Sequence, residues 1–154
     1  DVPAGRYTQI SAGESHSCAL TTDGKGVCWG WNGQGRTTVP AGRYTQISAG
    51  GRHPCAVTRA GQGVCWGWNG NGRAPVPAAR RRQTAAGMRH TCAVTRSGKG
   101  VCWGYNRYGQ TDVPAGRYTQ ISAGESHSCA GTKAGQAVCW GDNNSGQTSV
   151  PASR

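Results

Sequence analysis

From Arg6 to Ser11 the chain reads Arg-Tyr-Thr-Gln-Ile-Ser, β-branched and aromatic residues with the two-residue alternation of a β-strand. Ala12-Gly13 makes a bend, and His16 to Leu20 reads as a second short strand. Thr21-Thr-Asp-Gly-Lys-Gly26 carries the Asp-Gly dipeptide of a hairpin turn. Val27-Cys-Trp-Gly30 is then a third strand, antiparallel to the second, and Trp31-Asn-Gly-Gln-Gly35 a glycine-rich loop.

This pattern returns every 37 residues. His16 recurs as His53, His90 and His127, and the Trp-Gly step at Trp29, Trp66, Trp103 and Trp140. A fixed period of this size, without insertions, is the signature of solenoids and propellers. The repeats run 1–37, 38–74, 75–111 and 112–148, with 149–154 opening a fifth linker, so 1–154 reads as a single repeat domain. The Val-Pro-Ala linkers place Pro3, Pro40, Pro77, Pro114 and Pro151 where strand pairing must stop. Each unit is a three-stranded antiparallel sheet too small to bury its own faces, so stacking of neighbours must supply the core. In the third repeat Tyr7, Thr8 and Ile10 are replaced by Arg81, Arg82 and Thr84, which predicts a weaker first strand there.

Composition alters this picture little. The 26 glycines fall at repeat offsets and read as turn positions, not as disorder. No 18-residue apolar run is present, so no membrane-spanning helix is expected. The chain opens inside a repeat with no charged-then-apolar leader, as expected of a protein from which a signal peptide has been removed.

The eight cysteines come two per repeat at identical offsets, which points to disulfides and an oxidising, secretory setting. The simplest pairing that repeat symmetry allows joins Cys18 to Cys28, Cys55 to Cys65, Cys92 to Cys102 and Cys129 to Cys139. Free buried thiols are an alternative. A zinc site is a poorer one, because the short Cys-x(2–4)-Cys knuckle is missing. No metal and no cofactor is expected.

The motif Ile-Ser-Ala-Gly-x-x-His-Ser-Cys-Ala-Leu-Thr-x-Asp-Gly, followed by Val-Cys-Trp-Gly-x-Asn and a closing Gly-Gln, closely resembles the repeat of the regulator-of-chromosome-condensation family, in the Cys-Trp-Gly form of its bacterial secreted members. The resemblance covers all four repeats. It implies an all-β, β-propeller-type fold with one blade per repeat, the fold also of the bacterial β-lactamase-inhibitor propeller. Such propellers usually close with about seven blades, whereas this chain offers four. Two chains forming one ring, an open curl, and a longer array or fibre are the alternatives. The family also implies docking of proteins.

No enzyme is expected. One His per repeat at one offset reads as a buried group bonding the neighbouring backbone, and no Asp or Glu accompanies it in every copy. The positions that vary are more informative. After Trp-Gly the loop begins with Trp31, Trp68, Tyr105 or Asp142; Tyr108 joins the third copy, and Arg36, Arg73 and Arg107 lie in the same loops. A shared offset places these on one face of a propeller, and Trp, Tyr and Arg dominate binding hot spots. Packing of the aromatics on the adjacent blade is the alternative.

Charge is uneven: the repeats carry 0, +4, +7 and −1, and Arg154 completes the net +11. Arg80, Arg81 and Arg82 sit in the most basic repeat and form a candidate electrostatic patch for anionic partners. The reading is a secreted, non-enzymatic binding module. Its contacts would be Trp31, Trp68, Tyr105, Tyr108 and Arg107, and its partner another protein or an anionic surface glycan. Nucleic acid fits an extracellular setting less well. The alternative is a structural extracellular protein whose repeats self-associate into a dimeric ring or a fibre.

Overall fold

The computed structural model describes residues 1–70 and 76–152. Each repeat folds as expected into a three-stranded antiparallel sheet, here called a blade. Blade 1 contains β1 (Tyr7–Ala12), β2 (His16–Thr21) and β3 (Gly26–Gly30), and blade 2 contains β4 (Tyr44–Ser48), β5 (Cys55–Thr58) and β6 (Gly63–Cys65). Blade 3 contains β7 (Arg81–Ala86), β8 (His90–Thr95) and β9 (Gly100–Gly104), and blade 4 β10 (Tyr118–Ala123), β11 (His127–Thr132) and β12 (Ala137–Gly141). The first strand of every blade carries a bulge, the register shifting between Tyr7 and Gln9 and at the equivalent residues of the others.

Blade 2 has the shortest strands, and Pro54 explains why. It stands where the other blades have Ser17, Thr91 or Ser128, and with no N–H to donate it delays β5 to Cys55. The first strand of blade 3, in contrast, is not shortened. β7 keeps six residues and the common register, against the expectation of weaker pairing.

In all four blades the two cysteines face each other on adjacent strands and are bonded, with Cα atoms 4.1 Å apart. The glycine of the Trp-Gly step follows the second cysteine. At Gly30, φ is +111°, and a Cβ there would lie 2.7 Å from the Ser15 carbonyl oxygen, so no larger residue fits.

The core lies between blades. Leu20 of blade 1 packs with Tyr44, Ile47 and Trp66 of blade 2, and Val94 of blade 3 with Tyr118, Ile121 and Trp140 of blade 4. Burying an Ile47-sized side chain contributes about 1.5–3 kcal/mol. Glutamines staple the blades together. Gln9 accepts the Ile47 N–H at 2.8 Å, Gln46 the Thr84 N–H at 2.9 Å, and Gln83 the Ile121 N–H at 2.9 Å. Tyr44 and Tyr118 anchor the linkers by donating to Pro40 and Pro114 carbonyls, each at 2.6 Å.

Candidate binding face

The register decides which residues can act together. β1 pairs Tyr7 with Thr21 and Ala12 with Ser17, so the linker and hairpin turn occupy one end of a blade. The 12–16 bend and the loop after Trp-Gly occupy the other. Neighbouring blades are aligned at both ends. The Tyr44 N–H reaches the Gly24 carbonyl at the hairpin end (2.8 Å), and the Trp66 indole N–H reaches the Arg36 carbonyl at the loop end (3.0 Å).

At the loop end an aromatic ring is paired with a guanidinium on each of the first three blades. Arg36 lies 4.2 Å from the Trp31 ring centroid, Arg52 5.2 Å from Trp68, and Arg89 5.7 Å from Tyr105. Arg107 lies 6.0 Å from Tyr108. Trp31 is 57% exposed and Tyr108 42%, whereas Trp68 and Tyr105 are half-buried. Arg36 is itself buried beneath this surface, donating to the Gly33 carbonyl at 3.1 Å and the Gln34 amide oxygen at 3.2 Å. Burial pushes its guanidinium below the ordinary arginine range. A depression of about 170 Å³ opens between Glu14, Trp31, Gln34 and Arg52, where Arg52 and Glu14 form an ion pair at 3.2 Å. Arg73 and the start of the third linker at Pro75 lie outside the described residues.

The arginine cluster sits elsewhere. Arg80 pairs with Gln62, and Arg82 donates to the Tyr118 carbonyl at 3.0 Å, both at the hairpin end. Both are exposed. Arg82, Arg96, Arg117 and Lys133 line a basic groove of about 400 Å³ there. Arg81 is not part of any surface patch. It is 1% exposed, points inward in the place of Tyr44, donates to the Pro77 carbonyl as the tyrosines do to theirs, and stacks 5.2 Å from the Trp103 ring centroid. The expected sites therefore divide into an aromatic loop end and a basic hairpin end.

Three of the histidines are buried at blade junctions. His53 and His90 bond the hydroxyls of Thr91 (2.8 Å) and Ser128 (2.7 Å) in the next blade. Ser128 gives its own hydrogen to the Gln110 carbonyl, so His90 donates from Nε2. His16 faces Pro54, which has no hydroxyl, and donates instead to the Ala49 carbonyl at 3.0 Å. His16 thus meets the expected backbone partner. Its pKa is lowered by burial and by the nearby Arg36 charge, with the Ala49 bond opposing. Among the described residues no group of three or more His, Cys, Asp or Glu could hold a metal ion.

The glutamine staples escaped the sequence reading. Their signal was present: Gln9, Gln46, Gln83 and Gln120 hold one polar offset inside an otherwise apolar-alternating strand.

Tandem disulfide-bonded blades, each sealed by the next, define a β-propeller-type repeat protein. The regulator of chromosome condensation (RCC1) repeat model matches residues 7–36, 44–73, 82–110 and 118–147, and the chain belongs to this family. Among solved structures, it is similar to the CRINKLY WD40 ectodomain of the Arabidopsis thaliana receptor kinase ACR4, with 26% identity and a TM-score of 0.74 over 89% of this chain and 50% of that one. The ectodomain of the Physcomitrella patens receptor kinase CR4 gives 28% identity and a TM-score of 0.77 over 96% and 44%. Prp20p from Saccharomyces cerevisiae shares the fold at 18% identity, with a TM-score of 0.78 over 92% and 46%. The chain spans about half the length of these structures. No curated protein sequence matches it.

Proposed function

We propose that the chain is a secreted, non-enzymatic binding module whose loop end holds another protein or an anionic surface glycan. The observation that carries this is the row of aromatic–guanidinium pairs on successive blades, with Trp31 more than half exposed at its head. Large exposed rings backed by fixed cations bind with little loss of side-chain entropy and favour anionic or aromatic partners. The disulfides suit an oxidising compartment, and the similarity to two receptor-kinase ectodomains, at 26% and 28% identity, supports an extracellular role.

The test is titration of the oxidised protein with a sulfated glycan and, separately, with an Asp/Glu-rich peptide. Trp31→Ala combined with Tyr105→Ala should weaken binding at least tenfold, and Arg80→Ala with Arg82→Ala should leave it within threefold. The reverse ranking would move the site to the basic groove. A second reading, assembly of repeats between chains, is supported by the identity of residues 1–19 with 112–130, which lets the first blade of one copy present the strands that blade 4 presents to blade 3.

A further inference from the structure

The arginine that precedes the first strand of a blade reaches back to the hairpin turn of the blade before it, as Arg43 of blade 2 and Arg117 of blade 4 show. At the junction of blades 1 and 2 that turn supplies a carboxylate. Asp23 accepts from Arg43 Nη1 at 3.0 Å and from the Thr21 hydroxyl, so the cation is neutralised within the fold. At the junction of blades 3 and 4 the same turn position is Ser97. Arg117 donates to the Ser97 carbonyl, as Arg43 does to that of Asp23, but among the described residues no carboxylate meets it.

Three further cations converge on this second junction. Arg82 stands where the other blades have Thr8, Thr45 and Thr119, and it reaches across to the Tyr118 carbonyl at 3.0 Å. Arg96 and Lys133 come from one turn offset in successive blades. With Arg117 they line the groove of about 400 Å³, and no acidic residue lines it. All four are exposed, and none is in an ion pair among the described residues. The Ser97 hydroxyl, 2.9 Å from that of Thr95, adds a neutral polar group at its edge. Gly98 is buried beneath them, and a Cβ there would lie 3.5 Å from Arg82 Nη2. The groove is walled by blade 3 on one side and blade 4 on the other, so both walls belong to an internal junction.

Like charges gathered in one groove repel, and each guanidinium keeps N–H groups that the protein does not use. The first junction shows what relieves this: an oxyanion held between turn and linker arginine. Four cations in so small a volume call for a ligand of high charge density. A sulfate ester carries a single charge, whereas a terminal phosphate carries about two near neutral pH. Guanidinium groups also match phosphate oxygens as two-pronged donors.

We propose that the groove between the hairpin turns of blades 3 and 4 binds the phosphate chain of a compact di- or triphosphate ligand, with Arg82 and Arg117 gripping the chain and Arg96 and Lys133 completing its neutralisation. This site lies at the opposite end of the blades from the aromatic loops and does not depend on them.

Titration calorimetry of the oxidised 154-residue protein with inorganic triphosphate, at low salt and free of divalent cations, tests this. The expected result is saturable binding that Arg82→Gln combined with Arg117→Gln weakens at least tenfold. Arg43→Gln combined with Arg59→Gln removes the same charge from the hairpin end of blade 2 and should leave the affinity within threefold. Ser97→Asp installs the carboxylate that blade 1 carries at this offset, so the fold accepts it, and should weaken binding at least tenfold. Adenosine triphosphate should bind within threefold of inorganic triphosphate, because no exposed ring lines the groove for its base to stack on. Binding of the nucleotide ten times more tightly would overturn recognition of the chain alone. A wild type that binds no triphosphate, equal losses in the two arginine pairs, or full affinity in Ser97→Asp would overturn the site. Trp31→Ala with Tyr105→Ala should bind triphosphate as the wild type does, so this site and the loop-end reading can each fail alone.

Discussion

Arg36 lies 4.2 Å from the centroid of Trp31 while its backbone carbonyl accepts the indole N–H of Trp66, so one residue supports the exposed loop and seals the junction to the next blade. The two roles separate by mutation. Arg36→Ala keeps the carbonyl but loses the charge-assisted hydrogen bond to the half-buried Gly33 carbonyl, at a cost of about 1.5–3 kcal/mol. Trp31→Ala removes only a largely exposed ring, and should change stability by less than about 1 kcal/mol. Chemical denaturation of the two variants checks the difference; equal losses would mean that Trp31 is a structural element.

The disulfides close loops with a sequence separation of 10, for which chain-entropy arguments give about 2–3 kcal/mol each. Replacing Cys92 and Cys102 with Ala should lower stability by that amount, read as a shift in the denaturant midpoint. Reducing all four bonds should unfold the chain near room temperature, since a domain of this size has about 5–15 kcal/mol in total.

Acid should weaken the first blade junction through His16. Its folded pKa is lowered, so below the ordinary histidine value near 6.5 the unfolded chain takes up the proton first. Stability from this group is fully present above that pH and is lost as pH falls toward the folded pKa, at up to about 1.4 kcal/mol per unit. Thermal melts at pH 7.5, 6 and 5 should fall in that order. His16→Gln should flatten part of the slope while lowering the plateau, and a wild-type slope unchanged in the variant would rule His16 out as its source.

The glutamine staples permit an internal control. Gln46→Ala removes the acceptor of the Thr84 N–H and hydroxyl and the donor to the Thr84 carbonyl, all at a buried residue, and should cost about 1–3 kcal/mol. Gln120→Ala makes the same chemical change at an exposed side chain and should be nearly neutral in the 154-residue protein. Comparable losses at both sites would mean that the side chain acts within its own blade.

Much of this architecture is legible in the sequence because it repeats. The strands, turns and cysteine partners follow from local alternation and spacing, and four copies vote on each. What the copies could not report is where side chains with two possible environments go. Arg81 reads as surface charge beside Arg80 and Arg82, yet it fills the offset of a core tyrosine, and the bulge in its strand turns it inward. His16 reads like the other histidines, but its partner is set by Pro54, in another repeat. Charge and aromaticity taken per repeat do not say whether the aromatic loops and the basic cluster share a face. Only the antiparallel register separates the two ends of a blade.

Arg81 also yields the sharpest stability prediction. Its guanidinium is buried and its pKa lowered by that burial, and its Nε and Nη1 have no hydrogen-bond partner. Desolvating a charge with incomplete bonding costs more than a well-packed neutral residue of similar size. Tyr44 and Tyr118 show what fits this place: a ring packed between blades with its hydroxyl on the linker proline carbonyl. Arg81→Tyr should therefore stabilise the protein by about 1–3 kcal/mol. Its net charge would fall by one without any change in the exposed patch. Denaturant unfolding at pH 7 decides the matter. A destabilised variant would mean that the stacking on Trp103 outweighs the desolvation, and that the third blade is built around its arginine.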